Sequence, residues 1–301
     1  MHTRIKLIFI AFVAFATSNV TAQSNSPTQD KEELQMMALE ALMASPSERA
    51  LPALIKLLDG NGSDELKESA LFVLGQIDHP DASARLLAYA HDGGGEIQLE
   101  AIRMIGMNGD EAALAGLPAL YQAGNEDVRE AVLEAYLISG NTEGVFNLAM
   151  NATDEDDYED AVEILGAMDA HEELSRLREE KGISDALITA YIISGNDVEL
   201  RKLAMDSSNI ELQVEAIEAL GIVGGPGVDT ALADIYTSSD NEDIKEAALT
   251  GLMIGNYDET MLGLYRSSDS NSEKRDILEM LVILDSDAAM EVINSALAGD
   301  Q

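Results

Sequence analysis

The chain has no cysteine and no tryptophan, and aromatic residues make up only 4% of it. Each shortage excludes something. Without cysteine there are no disulfides, no thiolate metal ligands and no thiol nucleophiles. A chain of 301 residues can bury enough apolar surface to fold without cross-links. So few rings argue against a sugar-stacking or base-stacking site. Basic residues are also scarce: 18 Lys and Arg stand against 56 Asp and Glu, a formal charge of −38. Such a surface repels phosphate backbones, which excludes nucleic acid as a partner, and it disfavours anionic membranes. It points either to a basic partner or cations, or to a solvated acidic surface that keeps the chain soluble in salt.

Long apolar runs are missing too, with one exception. Arg4 and Lys6 precede an apolar stretch from Leu7 to Ala16, and Val20-Thr21-Ala22 puts small residues before Gln23. That is the layout of a cleaved secretory signal. The run is too short for a membrane span, which takes about 20 residues. Residues 1–22 are therefore expected to be a signal peptide, with a periplasmic product and no membrane insertion after cleavage. Loss of Arg4 and Lys6 takes the charge from −38 to −40. Residues 23–32 are polar and aperiodic and are expected to be a disordered lead-in.

What is present is repetition. With an offset of 55 positions, residues 131–166 and 186–221 are identical at 14 of 36 positions. Ala131-Val-Leu-Glu-Ala-Tyr-Leu-Ile-Ser-Gly-Asn141 returns as Ala186-Leu-Ile-Thr-Ala-Tyr-Ile-Ile-Ser-Gly-Asn196. A short internal period implies an elongated stack. One amphipathic helix recurs most clearly, with apolar residues at i, i+4 and i+8. Its register residues are Ala38, Ala70, Ala101, Val132, Ala161, Leu187, Ala216, Ala248 and Ile277, at intervals of 26 to 32 residues. Nine two-helix units follow, over residues 33–299. Five positions after the register residue stand Gly75, Gly106, Gly166 and Gly221. Glycine within a helix costs roughly 1 kcal/mol relative to alanine. Either tight helix crossing offsets that cost, or the helices end early.

A shorter second helix completes each unit, as at 47–58, 110–121, 198–205 and 287–297. Gly140-Asn141, Gly195-Asn196 and Gly255-Asn256 fit left-handed helix ends. The acidic loops, such as Asp154-Glu-Asp-Asp157, can cap the helices that follow them.

These units, with an acid–apolar–basic start and an Ala-x-x-x-Leu-Gly body, resemble the HEAT repeat in its short, phycobilisome-lyase-type form. The matching stretches run from Asp64 through Gly75, Glu126 through Leu137 and Asp243 through Met253, with Ala50-Leu-Pro-Ala-Leu-Ile-Lys-Leu-Leu58 closest to the other helix type. The resemblance implies an all-α fold, a right-handed α-solenoid of about nine repeats whose register helices line the concave side. The family's basic position is kept at Lys67, Arg129, Lys245 and Lys274 but lost at Gln35, Gln98, Tyr158, Ser184 and Gln213. The short unit between Ala161 and Leu187 is a candidate bend.

Catalytic constellations are sparse. Of four histidines, His2 leaves with the signal, His79 sits beside Pro80 in a turn, and His91 sits at a helix end. His171-Glu172 is the one His-Glu pair, whereas the iron-dependent hydroxylases built on HEAT repeats use several. No Gly-x-Ser-x-Gly or phosphate-loop motif occurs. The 154–157 run with Glu159 and Asp160 lacks calcium-loop spacing and reads as a solvated, capping loop. Met36-Met37 and Met104-x-x-Met107 have apolar helical spacing and read as core filling in preference to copper ligands. No catalytic residue, metal site or cofactor is expected.

The expected function is that of an exported scaffold, not an enzyme, binding a protein or peptide, with a basic partner favoured. The alternative is a lyase or metal-dependent enzyme on the same scaffold. The candidate surface consists of the inner-facing Glu100, Glu134, Glu163 and Glu218, with the equivalent pair Tyr136 and Tyr191. Those tyrosines suit either an interface or an inter-repeat core with the hydroxyl reaching water.

Overall fold

The computed structural model describes residues 27–206, 208–284 and 287–298. The expected signal segment and residues 23–26 lie outside these. The described residues are helical throughout, with no strand. In chain order the units are α1 (Pro27–Met43) with α2 (Ser47–Leu58), α3 (Asp64–Gly75) with α4 (Pro80–Asp92), and α5 (Glu96–Asn108) with α6 (Glu111–Leu114) and α7 (Leu117–Ala123). Next come α8 (Glu126–Ser139) with α9 (Thr142–Asn151), α10 (Glu155–Ala167) with α11 (His171–Lys181), and α12 (Asp185–Ile193) with α13 (Asp197–Ala204). The last three are α14 (Ile210–Val223) with α15 (Val228–Ser238), α16 (Glu242–Ile254) with α17 (Asp258–Ser267), and α18 (Asn271–Leu284) with α19 (Asp287–Ala298).

Substantial packing joins only helices of the same or adjacent units, which is the defining property of an α-solenoid. Eight of the nine register residues are buried, and Ala38 is the exposed one, in the terminal unit. The first helices form one continuous layer. The second helices lie behind them, each packed against the first helix of the next unit.

Glycine sets the spacing within the first-helix layer. A Cβ on Gly106 would lie 2.6 Å from Ala135 Cα of α8, one on Gly166 would lie 2.9 Å from Ala190 Cα of α12, and one on Gly221 would lie 2.6 Å from Gly251 Cα of α16. Real side chains do not approach that closely, so these backbones cross at a distance only glycine allows. The equivalent residues Leu137, Ile192 and Met253 are large, and the junctions that follow them (α8 to α10, α12 to α14, α16 to α18) are looser. Tight and loose crossings therefore alternate from α5 onward. This alternation accounts for the 55-residue repeat, since the unit that repeats faithfully is a pair of helix pairs.

Caps define the turns. Ser63, Asp110, Asn125, Asn141, Asp154, Ser184, Asn196, Asn209 and Asn241 each accept a hydrogen bond from the first turn of the following helix. Gly140 and Gly195 are left-handed as expected, but at the third site the left-handed residue is Asn256, because Gly255 stays helical.

Two further expectations are corrected. Residues 27–32, read as lead-in, form the first turns of α1. Pro27 suits a first helical position, and Gln29, Lys31 and Glu32 are good helix formers despite the missing apolar period. The second helix expected over 110–121 is broken between α6 and α7. Gly116 there meets Leu87 of α4 so closely that a Cβ would lie 2.7 Å from its Cδ1, and Pro118 lacks the N–H that would continue the helical ladder.

Candidate interaction surface

The position two residues after the register residue points away from the core. It lies about 160° around the helix from the buried mark. This row carries Glu134, Glu163 and Glu218 along with Arg103, and the position four residues later continues the same face one turn on.

The four candidate glutamates fall into two groups. Arg103 gathers the first pair: its Nε lies 2.9 Å from Glu134 Oε2, and its Nη1 lies 3.6 Å from Glu100 Oε2. Both carboxylates are half-buried, and burial pushes the Glu100 carboxyl up against the opposing pull of Arg103. These residues tie α5 to α8. Glu163 and Glu218 are different, because no cation among the described residues lies within ion-pair distance of either.

Around Glu163 and Glu218 the charge is predominantly negative. Glu159 is pushed up by burial and then by Glu155, Asp156, Glu163 and Asp160. Asp160 is pushed up by burial and by Asp157, Asp156 and Glu130 against the smaller opposing pull of Arg129, and Glu163 by burial and by Asp160. Glu215 on α14 is pushed up by burial and then by Asp185, Glu211 and Glu218. From α10 to α14 the face thus carries an acidic band made of two groups, one on α10 and one on α14 with Asp185, each repelling within itself.

Tyr136 and Tyr191 are not part of any surface. Both are buried between units, with 2% and 0% of their area exposed. The Tyr136 hydroxyl donates to the Leu114 carbonyl at 3.2 Å, while the Tyr191 hydroxyl has no hydrogen-bond partner. Burial pushes both phenols up to about 12. Equivalent aromatic positions here mark shared core, and neither hydroxyl reaches water.

The remaining candidates take structural places. Asp154 caps α10, and Asp157 receives Arg129 at 3.0 Å and the Tyr121 hydroxyl at 3.3 Å, binding α8 to α10. His79 caps α4, its Nδ1 accepting from the Asp81 N–H at 3.1 Å. His91 is exposed in the last turn of α4, and His171 Nδ1 lies 3.1 Å from Asn196 Nδ2. Among the described residues no group of His, Asp or Glu converges as a metal cage, and no helix is long and apolar enough to cross a membrane. Met104 fills the core, but Met37 and Met107 do not: they stand exposed.

One feature escaped the sequence reading. Six residues after the register mark stand Met107, Ile138, Ile193, Ile222, Ile254 and Ile283, all with 44% or more of their area exposed. Ala167, in the same register, is exposed too. The signal was present in the register arithmetic, since this row shares a face with the acidic one.

The family model described as HEAT repeats matches residues 52–137, and that described as PBS lyase HEAT-like repeat matches residues 34–60. The same two-helix unit continues through α19. Residues 34–137 thus carry HEAT repeats. Among solved structures, the chain is similar to the complex of CpcE and CpcF of phycocyanin lyase from Nostoc sp. PCC7120, at 16% identity over 93% of this chain and 96% of that one, with a TM-score of 0.30. It is also similar to human deoxyhypusine hydroxylase in complex with glycerol, at 16% identity over 75% and 99% of the two chains, with a TM-score of 0.31. No curated protein matches it in sequence.

Proposed function

We propose that this protein is an exported scaffold that holds a basic protein or peptide along the first-helix layer. The observation that carries the reading is the acidic face of α10 and α14, where Glu163 and Glu218 have no cation within ion-pair distance among the described residues and burial with carboxylate repulsion raises Glu159, Asp160, Glu163 and Glu215. A cationic partner would relieve that repulsion and would be drawn in by the field of a chain with 56 acidic and 18 basic residues. The segment with Arg4, Lys6 and the apolar run to Ala16 supports export, and a periplasmic place follows from that reading.

Two measurements test it. The mass of the protein recovered from the periplasmic fraction should correspond to a start at Gln23. Immobilised protein should retain a defined set of basic envelope proteins at low salt, release them at high salt, and lose them when Glu163→Lys and Glu218→Lys are combined. Retention unaffected by charge reversal would refute the electrostatic scaffold.

A further inference from the structure

We infer that the exposed aliphatic row beside the acidic band docks one cationic amphipathic helix of a partner protein. This rests on the scaffold reading and specifies the partner's chemistry. Ile193, Ile222 and Ile254 stand at one register on α12, α14 and α16, with 47%, 55% and 45% of their area exposed. Isolated apolar residues on a surface need no explanation, but exposure repeated at one position of three successive first helices is a pattern that isolated residues do not make. Core packing does not account for it, because the buried positions of the same helices are filled by other residues. Helix propensity does not account for it either, since isoleucine is a middling helix former.

Charge selects the occupant. Glu218 lies four residues before Ile222, on the same face and one turn back. Glu215 lies beyond it on α14, and burial with repulsion from Asp185, Glu211 and Glu218 raises its carboxyl. The aliphatic row also sits where the first helices end, so the negative ends of their dipoles add to the field. A second copy of this chain would bring another surface of the same −38 charge against the band. An anionic lipid surface is repelled in the same way. A helix with an apolar stripe flanked by lysine or arginine satisfies the aliphatic row and the acidic band at once. Packed helices lie about 8–10 Å apart, so Ile193 to Ile254 spans roughly 16–20 Å. That length matches roughly 11–13 residues of helix at 1.5 Å per residue.

The absence of cysteine makes the test direct, because one introduced thiol is the only labelling site. The full chain carrying Ile222→Cys is labelled with an environment-sensitive fluorophore, and Thr237→Cys on α15, in the second-helix layer, serves as the control. The probes are an amphipathic Leu/Lys peptide of about 18 residues, enough for five helical turns, a scrambled peptide of the same composition, and a Leu/Glu counterpart. At near-physiological salt the amphipathic Leu/Lys peptide should shift the label at position 222 to the blue and leave that at 237 unchanged. It should bind about tenfold more tightly than the scrambled peptide, and the Leu/Glu peptide should not bind. Unlabelled Ile193→Ser/Ile254→Ser protein, with an unchanged circular dichroism spectrum, should lose about tenfold in affinity by calorimetry. Equal binding of the scrambled peptide, or no loss in the double variant, overturns the inference. A parallel capture separates it from the scaffold reading. If Ile193→Ser/Ile222→Ser/Ile254→Ser protein retains the same envelope proteins as the parent, the scaffold stands and the docked helix falls. If neither protein captures anything and no peptide binds, both fall.

Discussion

The Tyr136 hydroxyl donates to the Leu114 carbonyl at 3.2 Å, and that carbonyl is free because the residue four positions on is Pro118. In an unbroken helix the N–H of residue 118 would take this oxygen. Proline has none, and the break between α6 and α7 leaves the acceptor buried for the tyrosine of the next unit. Tyr191 occupies the equivalent place on α12, but α11 behind it is unbroken, and the Tyr191 hydroxyl has no hydrogen-bond partner.

Opposite outcomes follow for one chemical change. Tyr136→Phe should cost about 1–3 kcal/mol, since it strands a buried carbonyl. Tyr191→Phe removes an unpaired buried hydroxyl and should be neutral or stabilising by up to about 1 kcal/mol. Urea or thermal unfolding of the two variants beside the parent checks this. Equal losses in both would mean that the hydroxyls share a role the geometry does not assign them.

That pair also shows what the sequence could and could not disclose. The register residues were legible because a small or apolar side chain recurs wherever two helices must meet. The break at 115–116 was not legible. Leu51-Pro-Ala-Leu54 and Leu117-Pro-Ala-Leu120 are the same words, yet α2 runs straight through Pro52 while the second helix of the third unit stops. The difference is Gly116, whose close approach to Leu87 is a tertiary fact. The lost basic positions had hidden partners of the same kind. Gln98 Nε2 donates to the Ala90 carbonyl and Gln213 Nε2 to the Ala204 carbonyl, each at 2.8 Å, so glutamine closes the end of the preceding helix. Arg129 makes a longer version of that bond, to the Gly124 carbonyl at 3.4 Å. For the candidate surface, acidic residues on the first helices were correctly sensed as a face. Arg103 bridging two of them could not be, because the contact joins positions 31 residues apart.

Glycine substitutions should separate helix propensity from crossing distance. Gly221→Ala places a methyl group against the Gly251 backbone, and Gly106→Ala places one against Ala135. Overpacking of this kind costs about 1–3 kcal/mol, which outweighs the roughly 1 kcal/mol that alanine gains over glycine in a helix. Gly263 in α17 is the control, because a Cβ there meets nothing within 4 Å. Gly263→Ala should therefore stabilise by about 0.5–1 kcal/mol. Chemical unfolding of the three variants reads the signs. Stabilisation by all three would show that the first-helix layer relaxes without cost and that glycine does not set its spacing.

Acid should stabilise this protein before it denatures it. Glu159, Asp160, Glu163 and Glu215 are pushed up by burial first and by neighbouring carboxylates second, and Glu100 is pushed up by burial against the pull of Arg103. A carboxyl with a raised folded value binds its proton more readily in the folded chain than in the unfolded one. As pH falls from neutral through those raised values, the folded state takes up more protons and stability rises. Glu143, held down by its hydrogen bond with Arg176, and Glu273, held down by its hydrogen bonds with Lys245 and Ser268, behave in the opposite sense. Their contribution is present above the unfolded carboxylate range, about pH 4, and is lost as pH falls through their depressed folded values. The melting temperature should accordingly peak in mildly acidic buffer and fall on both sides. Salt acts on the same repulsion, so added sodium chloride should raise the melting temperature at pH 7 and do so less at the acid optimum. Glu163→Gln should reproduce part of the acid effect at pH 7 and none of it once that carboxyl is protonated. Differential scanning calorimetry across pH and salt decides the matter. A melting temperature that only falls on acidification from neutral would show that the carboxylates of α10 to α14 are stabilised by the fold and do not repel one another across it.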